Sequence, residues 1–174
     1  MRHRKGSTAK QESKEALQSI VRQLVAHASR SEAETWSDLL VDMDKLGLEE
    51  LADRVVEAVR ATRSHYLRRR AASVLGAVRL RKAEQLLGEL LRDPDWGTRT
   101  NAVSSLQGST SAESLEHILE ALSDPSPEVR GEAVRVIGLR RAGHLPELAR
   151  LLSDDDQRVR TAAAGAVRRV LERA

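Results

Sequence analysis

Apolar residues recur at helical spacing along most of the chain. Ala16, Leu17, Ile20, Val21, Leu24 and Val25 form a stripe within residues 13–29, the i, i+3, i+4 signature of an amphipathic helix. A second stripe, Trp36, Leu39, Leu40, Met43 and Leu46, follows the capping-box sequence Ser31-Glu-Ala-Glu34 and stops at Gly47. A third, Leu51, Val55, Val56 and Val59, predicts a helix over 48–62. No stretch shows the strict alternation of a half-buried strand.

From residue 64 the pattern becomes a repeat. Leu67-Arg-Arg-Arg-Ala71, Thr98-Arg-Thr-Asn-Ala102, Val129-Arg-Gly-Glu-Ala133 and Val159-Arg-Thr-Ala-Ala163 align on Arg68, Arg99, Arg130 and Arg160, at spacings of 31, 31 and 30 residues. Four residues after each alanine stands an aliphatic residue: Leu75, Leu106, Ile137 and Val167. Three of these segments are followed by a second apolar stripe, through Leu86-Leu87 and Leu90-Leu91, through Leu115, Ile118-Leu119 and Leu122, and through Leu145, Leu148 and Leu151-Leu152. These stripes end at Asp93, Asp124 and Asp154, and Pro94, Pro125 and Pro127 stand just beyond, where one helix must stop and another can start. Each repeat therefore reads as helix A, a short turn, helix B and an acidic turn into the next helix A. A fixed period of this length is the mark of a solenoid.

The motif Asp, five residues, Arg, two residues, Ala, then Leu or Ile resembles the HEAT repeat in its short bacterial, PBS-lyase-type variety. It stands as Asp124, Arg130, Ala133 and Ile137-Gly138, and as Asp93, Arg99, Ala102 and Leu106. The resemblance covers residues 64–174 and implies an all-α fold, a right-handed α-solenoid of stacked antiparallel helix pairs. The expected organisation is a basic flexible tail over 1–12, an N-terminal helix plus a degenerate capping repeat over 13–63, and three repeats of about 31 residues plus a terminal helix over 64–174. Counting back one period gives the second and third helices the A and B places of the capping repeat. The final helix A has no helix B after it, so its apolar side is expected to be partly open.

Composition agrees with packed helices. Phe is absent and the only aromatics are Trp36, Tyr66 and Trp96, so Leu, Val, Ala and Ile must fill the core. Net charge is +3, from 29 basic and 26 acidic side chains, and an isoelectric point near 9.7 reflects only that small excess. Arginines outnumber lysines 24 to five, an association with bacterial, GC-rich coding. The lack of cysteine excludes disulfides and thiolate chemistry. No apolar run is long enough for a membrane span, and the basic start is not followed by a signal-peptide segment, which gives a cytoplasmic expectation.

Candidate chemistry is sparse. No phosphate-binding glycine loop, nucleophile elbow or zinc-protease helix appears, and the histidines (3, 27, 65, 117 and 144) are not spaced as ligands. HEAT-like iron enzymes hold their metal with His-Glu pairs, a dipeptide this chain lacks. HEAT-like DNA glycosylases use Trp, Asp and Arg on a concave face, whereas Asp95-Trp96 falls in a turn, where Trp96 is expected to pack under the turn or serve as a binding anchor. The expectation is therefore no catalytic residues, no metal and no cofactor. The recurring Asp93, Asp124 and Asp154 read as structural: each caps the start of helix A and pairs with arginine across the turn. The other reading makes them a binding ladder.

The resemblance implies that helix B lines the concave face, where Gln85, Glu89, Glu116, His117, Glu120, Glu147 and Arg150 would meet a partner. That face is expected to be acidic at its centre and to suit a protein with a basic surface. The A-to-B turns form a basic edge, Arg79, Arg81, Lys82, Arg140 and Arg141, although the middle turn, Gly108-Ser-Thr-Ser-Ala112, has no cation. Such cations also complement helix dipoles. The first functional reading is a non-catalytic scaffold that binds a protein, as an adaptor, an inhibitor or immunity protein, or a complex subunit. The alternative is a nucleic-acid binder using the basic edge and the basic N-terminal residues. Monomer and homodimer both fit, and no membrane partner is implied.

Overall fold

The computed structural model of the chain describes residues 3–28, 33–78, 80–140 and 144–172. They form ten α-helices: α1 (His3–Val25), α2 (Ala33–Asp42), α3 (Leu48–Ala61), α4 (His65–Leu75), α5 (Arg81–Leu90), α6 (Trp96–Ser105), α7 (Ala112–Ala121), α8 (Pro127–Leu139), α9 (Leu145–Arg150) and α10 (Gln157–Leu171). Short 3-10 turns extend α6 and α9, and no strand occurs among the described residues. No helix of the described residues is long and apolar enough to cross a membrane.

The helices stack in two rows, as an α-solenoid requires. The A row is α1, α4, α6, α8 and α10, each packed along the next. In the B row α3 packs on α5 and α5 on α7, while α9 closes against α10. Ala71, Ala102, Ala133 and Ala163 occupy one register position and are all fully buried. A methyl group there lets neighbouring A helices approach closely, and the leucines, valines and isoleucines around it supply the burial that drives stacking.

Two expectations about the N-terminal region are corrected. First, α1 and not α2 takes the A place of the first repeat, since it lies along α4, and α2 is the added helix, packed on α1 and α3. Side chains explain the choice: Leu17, Ile20, Val21 and Leu24 of α1 are wholly buried, whereas α2 leaves Val41 in solvent. Gln23 of α1 also accepts a hydrogen bond from Arg70 of α4 at 2.8 Å. Second, α1 begins at His3, so the described part of the expected tail is helical. Helix formers occupy Ala9–Glu12, and Gln11 donates to Glu15 one turn on, at 2.8 Å.

Boundaries elsewhere follow local chemistry. α2 ends at Asp42, where the amides of Lys45 and Leu46 donate back to its carbonyl, and Gly47 precedes α3 instead of closing α2. The capping box at Ser31–Glu34 lies outside the residues whose side chains are described.

Candidate interaction surface

The B-to-A turns at Asp93, Asp124 and Asp154 are built on the same hydrogen-bonded unit. Arg99 Nε and Nη2 donate to the Asp124 carboxylate at 2.8 and 2.9 Å, and Arg130 makes the same fork on Asp154 at 2.8 Å for both bonds. Arg68 pairs likewise with Asp93. The remaining nitrogen, Nη1, donates to backbone carbonyls of the arginine's own turn: Asp93 and Pro94 for Arg99, Asp124 and Pro125 for Arg130, Asp154 and Asp155 for Arg160. Each aspartate also accepts the amide two residues on, from Asp95, Ser126 or Asp156. Both groups of a pair are thus largely withdrawn from solvent, Asp93 and Arg99 fully so, and almost fully satisfied, the condition under which a buried ion pair is tolerated.

This geometry keeps the structural reading of the aspartates and corrects its details. The carboxylate partner is the arginine of the preceding repeat, and the arginine six residues downstream uses the carbonyl. Capping falls to other residues. Asp95 accepts from Thr98 N at 2.8 Å, Asp156 from Arg158 N at 2.8 Å, and Ser64 from Leu67 N at 3.3 Å. Arg130's hydrogen bond holds Asp154 below its ordinary carboxylate range. Burial pushes Asp95 up, but bonds from Arg69 and from the Thr98 hydroxyl and amide outweigh it and bring the group down to about 2.

The exposed side of the B row carries the residues expected to meet a partner. Gln85, Glu116 and Glu147 stand on α5, α7 and α9 at intervals of 31 residues. Gln85, Glu116 and Arg150 are exposed. Glu89 is held by Arg60 of α3 in two bonds of 2.9 and 2.5 Å, and that hydrogen bond lowers its pKa. Glu120 meets Arg92 at 3.2 Å. Lys82 lies 2.5 Å from Asp53 and 3.2 Å from Glu49. Within the expected acidic centre Arg60 therefore offsets Glu89 and Arg92 offsets Glu120, while Lys82 is taken up by Asp53 and Glu49 of α3. Counting charges on α5, α7 and α9 alone missed Arg60 and Arg92, although their separations from Glu89 and Glu120, 29 and 28 residues, come close to one period.

His117 and Glu147 are less open than a contact residue requires. The His117 ring is half-buried against Gly88 of α5, where an added Cβ would come within 2.6 Å of Nε2. Gly88 is thus required by close approach, and His117 closes the α5–α7 contact. Glu147 lies 3.9 Å from His144, with Oε2 buried and unpaired.

The basic edge is thinner than its sequence. Arg81 is exposed, Lys82 is engaged as above, and Arg140 donates to the Leu106 carbonyl at 2.8 Å, its burial lowering its pKa. Arg79 and Arg141 lie outside the described residues. Beside Arg81 a cleft of about 510 Å³ runs between the α4–α5 and α6–α7 turns, lined in part by Glu84, Ser105, Ser109 and Thr110. Ser105 donates to the Ala72 carbonyl and Ser109 is bonded to Ser111, so neither hydroxyl is joined to a base. Among the described residues no group of three or more His, Asp and Glu is placed to hold a metal.

Two rings open on the opposite edge. Trp96 is 49% exposed, with the Arg69 guanidinium 5.6 Å from its ring centre, so it is not packed beneath the turn. Tyr66 is 39% exposed and lies 5.2 Å from the His27 ring. Tyr66 escaped the sequence reading, although it stands within one residue of Trp96 in the 31-residue register.

Against known proteins, a family model described as HEAT repeats matches residues 52–122 and 115–172. No curated protein gives a significant match.

Proposed function

Since the chain belongs to the HEAT-repeat family, whose repeats are generally protein-interaction scaffolds, we propose that it is a non-catalytic cytoplasmic scaffold binding a protein through the exposed side of its B row. It serves as an adaptor, an inhibitor or immunity protein, or a complex subunit. One observation carries the choice of face. Gln85 and Glu116 stand exposed one repeat apart, with no side-chain partner among the described residues, while the flanking Glu89 and Glu120 are held by Arg60 and Arg92. A partner gains acceptors at fixed spacing without ordering the loops that carry them. Its matching groups are lysine and arginine side chains, which suit Glu116 and the amide oxygen of Gln85.

The test pairs the wild type with Gln85→Arg/Glu116→Arg as bait in nuclease-treated lysate, with the captured protein identified by mass spectrometry. A single defined protein, retained by the wild type and reduced at least about tenfold on the variant, is expected. Equal capture by both, or capture that disappears with nuclease, overturns the reading.

A further inference from the structure

Of the chain's three Tyr and Trp side chains, two, Tyr66 and Trp96, stand in solvent on the B-to-A edge. The repeat does not call for rings there. In the later turns Pro127 and Gln157 take the place of Trp96, and Glu128 and Arg158, paired at 3.0 Å, take that of Gly97 and Tyr66. Neither ring belongs to the core, and neither the Tyr66 hydroxyl nor the Trp96 indole N–H has a partner among the described residues.

The rings are not scattered singly but belong to one strip of planar groups. The Tyr66 ring lies 5.2 Å from that of His27, just past α1. Tyr66 and Arg69 are three residues apart on one side of α4. The Arg69 guanidinium lies 5.6 Å from the centre of the Trp96 ring on α6. The N-termini of α4 and α6 abut, with the Thr98 hydroxyl donating to the His65 carbonyl at 3.5 Å. The strip is held in place before anything binds. His27 Nδ1 donates to the Gln23 carbonyl at 3.0 Å, and Arg69 donates to the two oxygens of Asp95 at 3.1 and 2.9 Å. A Cβ at Gly97 would run into the Arg69 guanidinium, so the glycine makes room for it. Rigid Trp, Tyr and Arg groups with free polar tips are the usual anchors of a binding surface.

We propose that this strip binds a proline-rich segment of another protein in the polyproline II conformation, with an acidic residue beside the prolines. Spacing supports this occupant. Packed helices stand about 8–10 Å apart, and polyproline II advances about 9 Å in each three-residue turn, so prolines three apart meet Tyr66 and Trp96 in succession. Hydrogen bonding supports it as well. A polyproline II backbone keeps its carbonyls free for the Tyr66 hydroxyl and the Trp96 N–H, whereas a helical partner has spent its carbonyls internally. Charge asks for the acid. Arg69 is offset by Asp95, but Arg63, exposed in the turn before α4, has no partner among the described residues, and the N-termini of α4 and α6 add their positive ends. The strip lies on a different edge from the B-row side and does not depend on the reading given there.

The experiment titrates the nitrogen-15-labelled full chain with decaproline flanked by glutamates and follows the two indole N–H resonances. Trp36 is buried and serves as the internal control. Saturable movement of the Trp96 resonance with Trp36 unmoved is expected. Binding should weaken about tenfold in Tyr66→Ala, a change at an exposed ring that opens no cavity in the core. Arg63→Glu should reverse the preference, favouring decaproline flanked by lysines. A glutamate-flanked alanine-rich helical peptide and oligouridine should leave Trp96 unmoved. No saturable movement by about 1 mM peptide, an equal response to the helical peptide, a response to oligouridine instead, or binding indifferent to both Tyr66→Ala and Arg63→Glu overturns the proposal.

Discussion

The molecule holds two sets of cross-repeat ion pairs, and they differ in almost everything but residue type. In the B-to-A turns Arg99 and Asp124 have side chains 11% and 9% exposed. On the B row Arg92 and Glu120 are both 66% exposed. Both sets join one repeat to the next. In the turns, each charge is desolvated and then bound by a carboxylate, backbone carbonyls or an amide, so losing one partner strands the other. On the B row, water and salt replace a lost partner at little cost. The buried set fixes how repeats are spaced, and the exposed set can change with the binding partner while the spacing stays constant.

The sharpest attempt to break this contrast is Arg99→Ala. It leaves Asp124 buried and unpaired and should destabilise the fold by about 3–5 kcal/mol in denaturant unfolding. A loss below about 1 kcal/mol would erase the distinction between the two sets. Next comes the one tight approach in the B row. Gly88→Val should displace the His117 ring and cost about 1–3 kcal/mol, read as a lowered melting temperature together with a shifted His117 imidazole resonance.

Acid sensitivity follows from Asp95. Its folded pKa, about 2, lies below the ordinary 3.8, so its charge stabilises the fold above that ordinary value, and the gain is lost as pH falls through about 2. Asp95→Asn keeps a capping oxygen but not the charge. The wild type should lead this variant by about 1 kcal/mol near neutrality, and the two should converge between about pH 4 and pH 2. A gap that persists undiminished below pH 2 would show that the Asp95 charge is not its source. The smallest expected change is Arg92→Ala, at most about 0.5 kcal/mol and absent at high salt.

How much of this was legible depended on whether a signal lay within one repeat. The A helices were readable because Ala71, Ala102, Ala133 and Ala163 combine burial with a fixed period. The partners of Asp93, Asp124 and Asp154 were not, because each lies between an arginine six residues downstream and another 24 or 25 residues upstream. The fold uses the first for its carbonyl and the second for its carboxylate. Counting back one period misassigned the capping repeat, since α2 interrupts the A-to-B connection there. The partners of Glu89 and Glu120 on the proposed binding side were missed for a related reason: Arg60 and Arg92 reach it from a neighbouring repeat. Trp96 looked like a turn-filling ring, but Asp95 caps the helix and holds Arg69, which covers only part of the indole.

The Arg–Asp turns also bear on how the chain's length can change over evolutionary time. Each internal repeat offers a carboxylate to the arginine before it and an arginine to the carboxylate after it. Duplicating or deleting one whole unit therefore leaves every internal pair matched, with no compensating substitution. Gain or loss of a single residue within a B helix turns the following acid by about 100° around the helix axis and removes it from its arginine. Recombination between repeats is neutral for the interior, whereas a one-residue slip inside a repeat is not.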